Sequence, residues 1–183
     1  MPPVSVAFVG TSQGRWSVER LETVSGPSLP PARHVEFLEG EAAGRSVGDA
    51  AWVLRGITSY ERYVTRAEHD ALALRQERLG RPDSTRAALI PIKKSAKWWD
   101  LAQDERRQVF EERSHHVACG LEYLPEIARR LHHGRDLGEP FDFLTWFEFA
   151  PVDEPQFEEL LQRLRATEEW TYVEREVDIR LTR

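Results

Sequence analysis

The sequence predicts an α+β protein in which helices pack against a largely antiparallel sheet. Residues 171–181 alternate between apolar and charged side chains, as a half-buried strand does. Residues 157–164 carry an apolar i, i+3, i+4, i+7 stripe, which is typical of a helix that buries one face. Strand-like and helix-like stretches are interleaved, and neither standard type of glycine-rich phosphate loop is present. The pattern therefore argues against a nucleotide-binding fold.

Composition narrows the class of protein. The 183 residues are enough for one large domain or two small packed halves. A net charge of −6 disfavours a nucleic-acid partner, and no apolar run approaches the roughly 20 residues of a membrane span. No secretory signal is visible at the N-terminus. Cys119 is the single cysteine, which excludes an internal disulfide or an iron–sulfur cluster and suits a reducing cytoplasm.

One helix is predicted in the N-terminal half. Thr65 and Glu68 have the spacing of a capping box, so we expect a helix from Arg66 to about Leu79. Gln76 would then lie on an apolar stripe of this helix, where a buried amide needs hydrogen-bond partners. The other elements expected here are two strands within residues 4–25, a proline-rich loop over 26–33 and a strand over 51–58, with no assignment for 34–50.

The C-terminal half, which begins near Ser84, is predicted as strand, helix, helix, strand, helix, strand. Asp104 is expected to cap a helix that runs to about Gly120. Pro125 is expected in the first turn of a second helix, which would end near Leu131. The other expected elements are strands over 87–92, 141–150 and 171–181 and a helix that starts at Pro155.

The stretch from Lys93 to Arg130 contains the residues that indicate a function. It includes a Trp pair, the His115–His116 pair and the Arg129–Arg130 pair. A buried-looking histidine beside a Trp pair, with a cation on an otherwise apolar surface, suits a flat, anionic, metal-bearing ligand such as haem. Taken alone, His116 is more often a hydrogen-bonded histidine, and Arg129 a solvated helix charge. His115 and Arg130 are the alternatives if the helix register differs.

Other candidate residues have ordinary structural explanations too. Lys94 and Glu169 would by default lie on the surface, where an ion pair contributes little. Trp98 and Trp99 would ordinarily be core or interface anchors. Cys119 reads as an inert, buried, small hydrophobic residue.

Five strings of the sequence resemble the chlorite dismutase family. The resemblance covers residues 51–181 well and residues 1–50 loosely, and it points to the short-chain, dimeric branch with a truncated N-terminal half. It implies two ferredoxin-like halves, residues 1–84 and 85–183, packed into an α/β-barrel with haem b in the second half. It also implies a homodimer, and a pentamer, as in longer relatives, is the alternative. The strings are WVLRGITSYERYVTRAEHD, ALIPIKKSAKWWDL, EERSHHVACGLEYLPEIARRL, PFDFLTWFEFAP and ATEEWTYVEREVDIRL.

The same resemblance implies roles on the proximal side of the haem. His116 would be the proximal ligand of the iron. Glu169, in the string TEEW, would accept the second N–H of the imidazole and make the ring a stronger donor. Lys94 and Trp98 belong to a K-x-x-x-W-W element and would line the haem pocket, while Trp99 would sit near the subunit interface.

On the distal side, the resemblance implies that Arg129, thirteen residues after His116, is the catalytic arginine. Gln76 would be the glutamine that holds this arginine. The implied reaction decomposes chlorite to chloride and O2 through ferryl and hypochlorite intermediates. Arg129 would hold the oxychlorine anion, because a guanidinium stays charged at any working pH.

Several other functions stay open. A coprohaem decarboxylase is the first alternative, but relatives of that kind usually lack the distal arginine, so Arg129 speaks against it. A dye-decolourising peroxidase is disfavoured by the K-x-x-x-W-W element and by the short chain. A haem-binding or haem-buffering dimer is the non-enzymatic alternative, because a fold and a pocket do not determine the reaction. A purely structural protein would bind no haem.

Overall fold

Eight strands close into one antiparallel barrel in the computed structural model, which describes residues 3–58 and 61–183. The strands are β1 (Val4–Thr11), β2 (Trp16–Ser25), β3 (His34–Glu39), β4 (Trp52–Thr58), β5 (Arg86–Lys94), β6 (Ala128–His133), β7 (Phe143–Phe149) and β8 (Val173–Thr182). Around the barrel they follow the order β1-β3-β2-β8-β5-β7-β6-β4, and β4 pairs again with β1. Neighbouring strands are all antiparallel.

The helices of the described residues lie mostly in the C-terminal half. They are α1 (Arg66–Arg75), α2 (Ala96–Asp100), α3 (Gln103–Arg107), α4 (His116–Glu122) and α5 (Glu154–Arg165). A π-helical turn over Gln108–Arg113 continues α3. None of these helices is long and apolar enough to cross a membrane.

The C-terminal strands are buried on both faces, because successive side chains of a strand point to opposite sides. Leu89 of β5 packs inside the barrel, whereas its neighbour Ile90 packs against α5. On β7, Trp146 likewise packs inside the barrel, and Phe147 packs against α5. The outer face of this half is therefore an apolar surface on which helices can pack and a cavity can form.

The apolar stripe of α5 confirms the predicted helix. Phe157, Leu160, Leu161 and Leu164 are all buried against the sheet, and the helix begins at Glu154, one residue before Pro155. The predicted strands over 4–25, 51–58, 87–92, 141–150 and 171–181 are also confirmed, each within a few residues. In addition, β3 and a short 3-10 turn occupy residues 34–44, where the sequence carried no clear signal.

The predicted capping box of α1 is present, but the helix is shorter than expected. Thr65 Oγ1 accepts from the backbone N–H of Glu68 at 3.3 Å, and the Glu68 carboxylate accepts from Thr65 N–H at 2.7 Å. The helix ends at Arg75, and Gln76 is its C-cap with an extended backbone. The chain turns here because Leu79 packs against the core inside the barrel.

The predicted helix from Asp104 to Gly120 is wrong, because the chain breaks at His115. This residue has φ +52°, in the left-handed region, so that α4 starts at His116 in a new direction. The first segment begins after Ala102, whose N–H donates to the Glu105 carboxylate at 2.7 Å. The short helix α2, which carries the Trp pair, was not predicted.

The predicted helix from Pro125 to Leu131 is also wrong, because this segment is largely strand β6. Every residue of β6 pairs with β7, from Ala128 opposite Glu148 to His133 opposite Phe143. Long-range ladder hydrogen bonds thus override the helix-start signal of Pro125. As a result, Arg129 projects from a sheet and not from a helix.

We predict that Phe157→Ala lowers the free energy of unfolding by about 3–5 kcal/mol, because it leaves a cavity between α5 and the sheet. The Phe157 ring is fully buried and stacks on Phe149 with centroids 4.6 Å apart. Denaturant unfolding measures the change. Val152→Ala, at a residue 79% exposed, is the control and should have little effect. Equal losses in the two variants would contradict this account of the core.

Candidate functional site

A cavity of about 900 Å³ lies between the outer face of β5, β6 and β7 and the helices α1, α4 and α5. Six of the seven residues proposed from the sequence line it, although they come from six separate structural elements. These are Gln76, Lys94, Trp98, His116, Arg129 and Glu169. Trp99, the seventh, lies outside the lining.

His116, not His115, faces this cavity. The left-handed turn leaves His115 exposed and places His116 as the first residue of α4, half-buried in the cavity wall. The buried carboxylate of Glu111 accepts from the N–H groups of Val117 and Ala118 at 2.6 and 3.2 Å. Glu111 thereby satisfies two N–H groups that a helix start leaves unpaired, which stabilises α4 where the histidine projects.

Glu169 connects His116 with Lys94. Its carboxylate lies 2.7 Å from His116 Nδ1 and accepts from Lys94 Nζ at 2.8 Å. Burial would raise the pKa of Glu169, but the charges of His116 and Lys94, with their hydrogen bonds, lower it to about 2. An ionised carboxylate can only accept, so His116 Nδ1 carries the hydrogen. The other ring nitrogen, Nε2, is then the one available to a metal.

Aromatic rings surround the histidine and the lysine. Phe110 stacks on His116 with centroids 4.5 Å apart, and Trp170 lies nearly parallel to the imidazole at 6.5 Å. The ammonium of Lys94 lies 4.6 Å from the centre of the Trp98 ring. Trp98 is fully buried, yet its indole N–H has no acceptor in the described part of the chain. An unpaired buried donor at a cavity indicates a missing hydrogen-bond partner.

Arg129 reaches from β6 across to α4. An added Cβ on Gly120 would come within 2.9 Å of Arg129 Cζ, so the guanidinium packs directly on the helix backbone. Burial lowers the pKa of Arg129 from its ordinary value, but an arginine keeps its charge at any working pH. Within the described ranges, no carboxylate lies at ion-pair distance from it. Arg130, in contrast, pairs with Glu39 at 2.6 Å.

Gln76 contacts Arg129 through the main chain. Its Nε2 donates to the Arg129 carbonyl oxygen, and the described contacts show no hydrogen bond from Gln76 to the guanidinium. The expectation that Gln76 lies on an apolar helical stripe is wrong, because the residue caps α1 and is exposed. It still borders the cavity, where it fixes the backbone from which Arg129 projects.

Trp99 is half-buried on the far side of α2. Its indole N–H donates to Asp142 Oδ2 at 3.2 Å, and the Arg135 guanidinium lies 3.9 Å from its ring centre. The same carboxylate oxygen accepts from the backbone N–H of Lys94 at 2.7 Å. Asp142 therefore couples the position of Trp99 to that of the cavity lysine.

Sequence reasoning missed several residues of the site. Ser114 Oγ accepts from Glu169 N–H at 2.9 Å, which holds the turn that carries Glu169 against the start of α4. Glu111 caps α4, and Phe110 stacks on the His116 ring. Gly120 leaves the space that the Arg129 guanidinium occupies. Glu111 lies four residues before His115, the N-cap of α4, so the usual capping signal does not identify it. Cys119 is buried in the core under α5, as expected, and burial raises the pKa of its thiol.

Comparisons with known proteins agree on one family. The sequence profile described as chlorite dismutase matches residues 37–183. A dimeric chlorite dismutase from Nitrobacter winogradskyi is 56% identical, with a TM-score of 0.90, and the match covers 97% of this chain and 99% of that one.

Two further relatives match less of the chain or at lower identity. Chlorite dismutase from Ideonella dechloratans is 37% identical over 62 residues, which are 34% of this chain and 20% of that relative. A mutant chlorite dismutase from Candidatus Nitrospira defluvii has a TM-score of 0.68 at 17% identity, with 98% of this chain and 92% of that one covered. At that identity the likeness shows the fold alone.

We predict that Glu169→Gln flattens the dependence of stability on pH between about 4.5 and 2. The folded-state pKa of Glu169 is about 2, below the ordinary value of 4.5, so its contribution is complete above pH 4.5 and is lost as the pH falls towards 2. Denaturant unfolding at a series of pH values measures the slope. Glu168→Gln, in an exposed ion pair with Arg113, is the control and should keep the wild-type slope. A wild-type slope in Glu169→Gln would contradict the lowered pKa.

We also predict that Gly120→Ala displaces the guanidinium of Arg129, because the new methyl group would occupy its position. The ¹H–¹⁵N resonance of Arg129 Nε should shift. Gly48→Ala, where no atom lies within 4 Å of the added Cβ, is the control. An unchanged Arg129 resonance would mean that this contact does not exist in solution.

Proposed function

This chain belongs to the chlorite dismutase family, and on that premise we propose that it is a haem b enzyme that decomposes chlorite to chloride and O2. Its homologues indicate a chlorite-decomposing enzyme. The observation that carries the haem assignment is the contact between His116 and the buried Glu169, which directs one imidazole nitrogen into a large cavity.

The residues of the cavity fit a haem. Its volume of about 900 Å³ lies within the range of roughly 300–1,000 Å³ for cofactor and ligand sites. Ile90, Phe147 and Leu164 supply apolar walls, as a porphyrin requires. His116 supplies an imidazole nitrogen to the iron, and Trp98 an unpaired N–H suited to a carboxylate-bearing ligand.

Glu169 determines what kind of ligand His116 can be. An imidazole that donates its second N–H to a carboxylate has a fixed orientation and is a stronger electron donor to a metal. Lys94 keeps Glu169 ionised, and so keeps the carboxylate in its accepting form. We therefore assign His116 as the proximal ligand, Glu169 as its hydrogen-bond acceptor and Lys94 as the counter-charge.

Arg129 is the residue we assign to the anion. A bound haem supplies the redox chemistry that breaks a Cl–O bond. Chlorite becomes chloride and O2 without gain or loss of protons, so the anion-binding side chain needs charge and not acidity. A guanidinium that stays charged would attract chlorite and hold the oxychlorine anion beside the haem. Gln76 supports this role by holding the Arg129 backbone.

A coprohaem decarboxylase or a haem-buffering protein is the alternative within the same superfamily. The free charge of Arg129 favours the chlorite reaction, because a buffer needs no cation beside its haem. We further propose that the protein is a cytoplasmic homodimer. Single-cysteine usage suits a reducing compartment, and the similar protein from Nitrobacter winogradskyi is dimeric. Trp99, half-buried outside the cavity, is our candidate for the dimer interface.

We also propose that residues 1–84 and 85–183 are two ferredoxin-like halves. The first four strands and the last four strands each follow the order fourth, first, third, second along the barrel. In the second half, helices cross between the first and second strands and between the third and fourth. The first half has no helix between β1 and β2 in the described residues, which agrees with a truncated copy.

Reconstitution with haem tests the iron ligand. We expect a Soret band and rapid O2 release when chlorite is added to the wild-type protein. His116→Ala should lose both, whereas His115→Ala, at the exposed neighbour, should keep both. If wild type shows no Soret band, or if His116→Ala binds haem as well as wild type, the assignment of the ligand is wrong.

Oxygen measurement with Arg129→Ala tests the role of the anion site. We expect this variant to bind haem but to release O2 on the order of 10²-fold more slowly, as when one preorganised charge is removed. Its haem should also bleach faster as hypochlorite escapes. Arg130→Ala removes the neighbouring cavity residue, whose charge is paired with Glu39, and should resemble wild type. Haem binding without O2 release in wild type would reject the chlorite reaction in favour of haem buffering or coprohaem chemistry.

A further inference from the structure

The buried carboxylate of Glu176 lies behind the cavity wall and contacts a residue that lines the cavity. The indole N–H of Trp170 donates to Glu176 Oε2 at 2.8 Å. Trp170 lines the cavity, whereas Glu176 lies on β8 beneath α5 and is fully buried. No role was assigned to either residue from the sequence.

The other oxygen of Glu176 is held by Arg165 of α5. Arg165 Nε and Nη2 both donate to Glu176 Oε1, at 2.8 and 2.6 Å, and Nη2 also donates to Asp178 at 2.9 Å. Buried ion pairs of this kind seldom stabilise a fold more than packed apolar residues would. In some proteins they instead fix a defined geometry. Here the geometry that results is the orientation of the Trp170 ring.

The orientation of the Trp170 ring matters because the ring lies beside His116 and Lys94, the two residues that contact the Glu169 carboxylate. Its ring lies nearly parallel to the imidazole of His116, with an angle of 18° between the planes. The ammonium of Lys94 lies 5.5 Å from its centre. If the indole rotated, the His116 imidazole would lose the ring that lies parallel to it, and the Lys94 ammonium would lose its cation–π contact with Trp170. The hydrogen bond to Glu176 is the polar contact of Trp170 that opposes this rotation.

We propose that Glu176 is a positioning residue of the cavity, which acts through the Trp170 indole N–H to hold His116 and Lys94 in place. The expected consequence is slower loss of haem, and to that extent the inference rests on the proposed function. The hydrogen bond itself can be tested without any cofactor.

The variant Glu176→Gln keeps the size of the side chain but breaks the contact. The two N–H donors of Arg165 need the single amide oxygen, so the amide NH₂ would face the indole N–H, donor against donor. Trp170→Phe removes the donor and keeps an aromatic ring. Asp178→Asn is the matched control, because Asp178 contacts Arg165 but not Trp170.

The first measurement uses the haem-free protein. In a ¹H–¹⁵N spectrum, the indole resonance that is absent in Trp170→Phe belongs to Trp170. We expect Glu176→Gln to shift this resonance and Asp178→Asn to leave it nearly unchanged. An unshifted resonance in Glu176→Gln would overturn the proposal at its first step. If Glu176→Gln does not fold, Trp170→Phe still provides the next test.

The second measurement is the rate of haem transfer from the loaded protein to excess apomyoglobin. We expect Glu176→Gln and Trp170→Phe each to accelerate it by about tenfold, the usual scale for residues that orient a metal ligand. The double variant should match the single ones, because both break the same contact. Additive effects, or an equal effect of Asp178→Asn, would overturn the proposal. A wild-type protein that binds no haem would instead reject the proposed function.

Discussion

The site depends on one buried negative charge. A carboxylate removed from water is costly unless every oxygen is paired, and Glu169 is almost fully buried. Its oxygens are paired by His116 and Lys94, and its backbone N–H donates to Ser114. These partners come from α4, β5 and the turn between the π-helical segment and α4. The same charge therefore holds three separate segments together and sets the orientation of the imidazole.

The barrel supplies a further part of the cavity lining, and both Arg129 and Arg130 of β6 border the cavity. Arg129 lies opposite Phe147 on the outer face of the sheet, whereas Arg130 lies opposite Trp146 and pairs with Glu39. Among the described residues, Arg129 therefore has no carboxylate at ion-pair distance, whereas Arg130 is paired with Glu39. The lining differs along its length: α4 presents an imidazole with a carboxylate behind it, and β6 presents the guanidinium of Arg129.

Much of the fold could be predicted from local pattern, and each failure has a physical cause that this pattern does not carry. Alternation located the long strands, and the stripe from Phe157 to Leu164 located α5, because both signals reflect burial of one face. The left-handed conformation of His115 has no signal in a histidine, so the break before α4 was missed. Strand β6 was read as a helix because its conformation comes from pairing with β7. The identities of the site residues came from resemblance, but only the break at His115 decides which histidine faces the cavity.

The buried charges on β8 acquire an explanation once the cavity is considered. Glu176, Asp178 and Arg180 occupy the face of β8 under α5, where apolar side chains would pack at lower desolvation cost. Glu169 and Trp170 lie in the turn that leads directly into this strand. Within this turn, Glu169 contacts the imidazole nitrogen of His116, and Trp170 lies beside the face of the ring. Glu169 is paired with Lys94, and Trp170 donates to Glu176, which is paired with Arg165. Because the Arg165–Glu176 pair joins α5 to β8, a shift of that helix would move the Trp170 ring that lies beside the His116 imidazole.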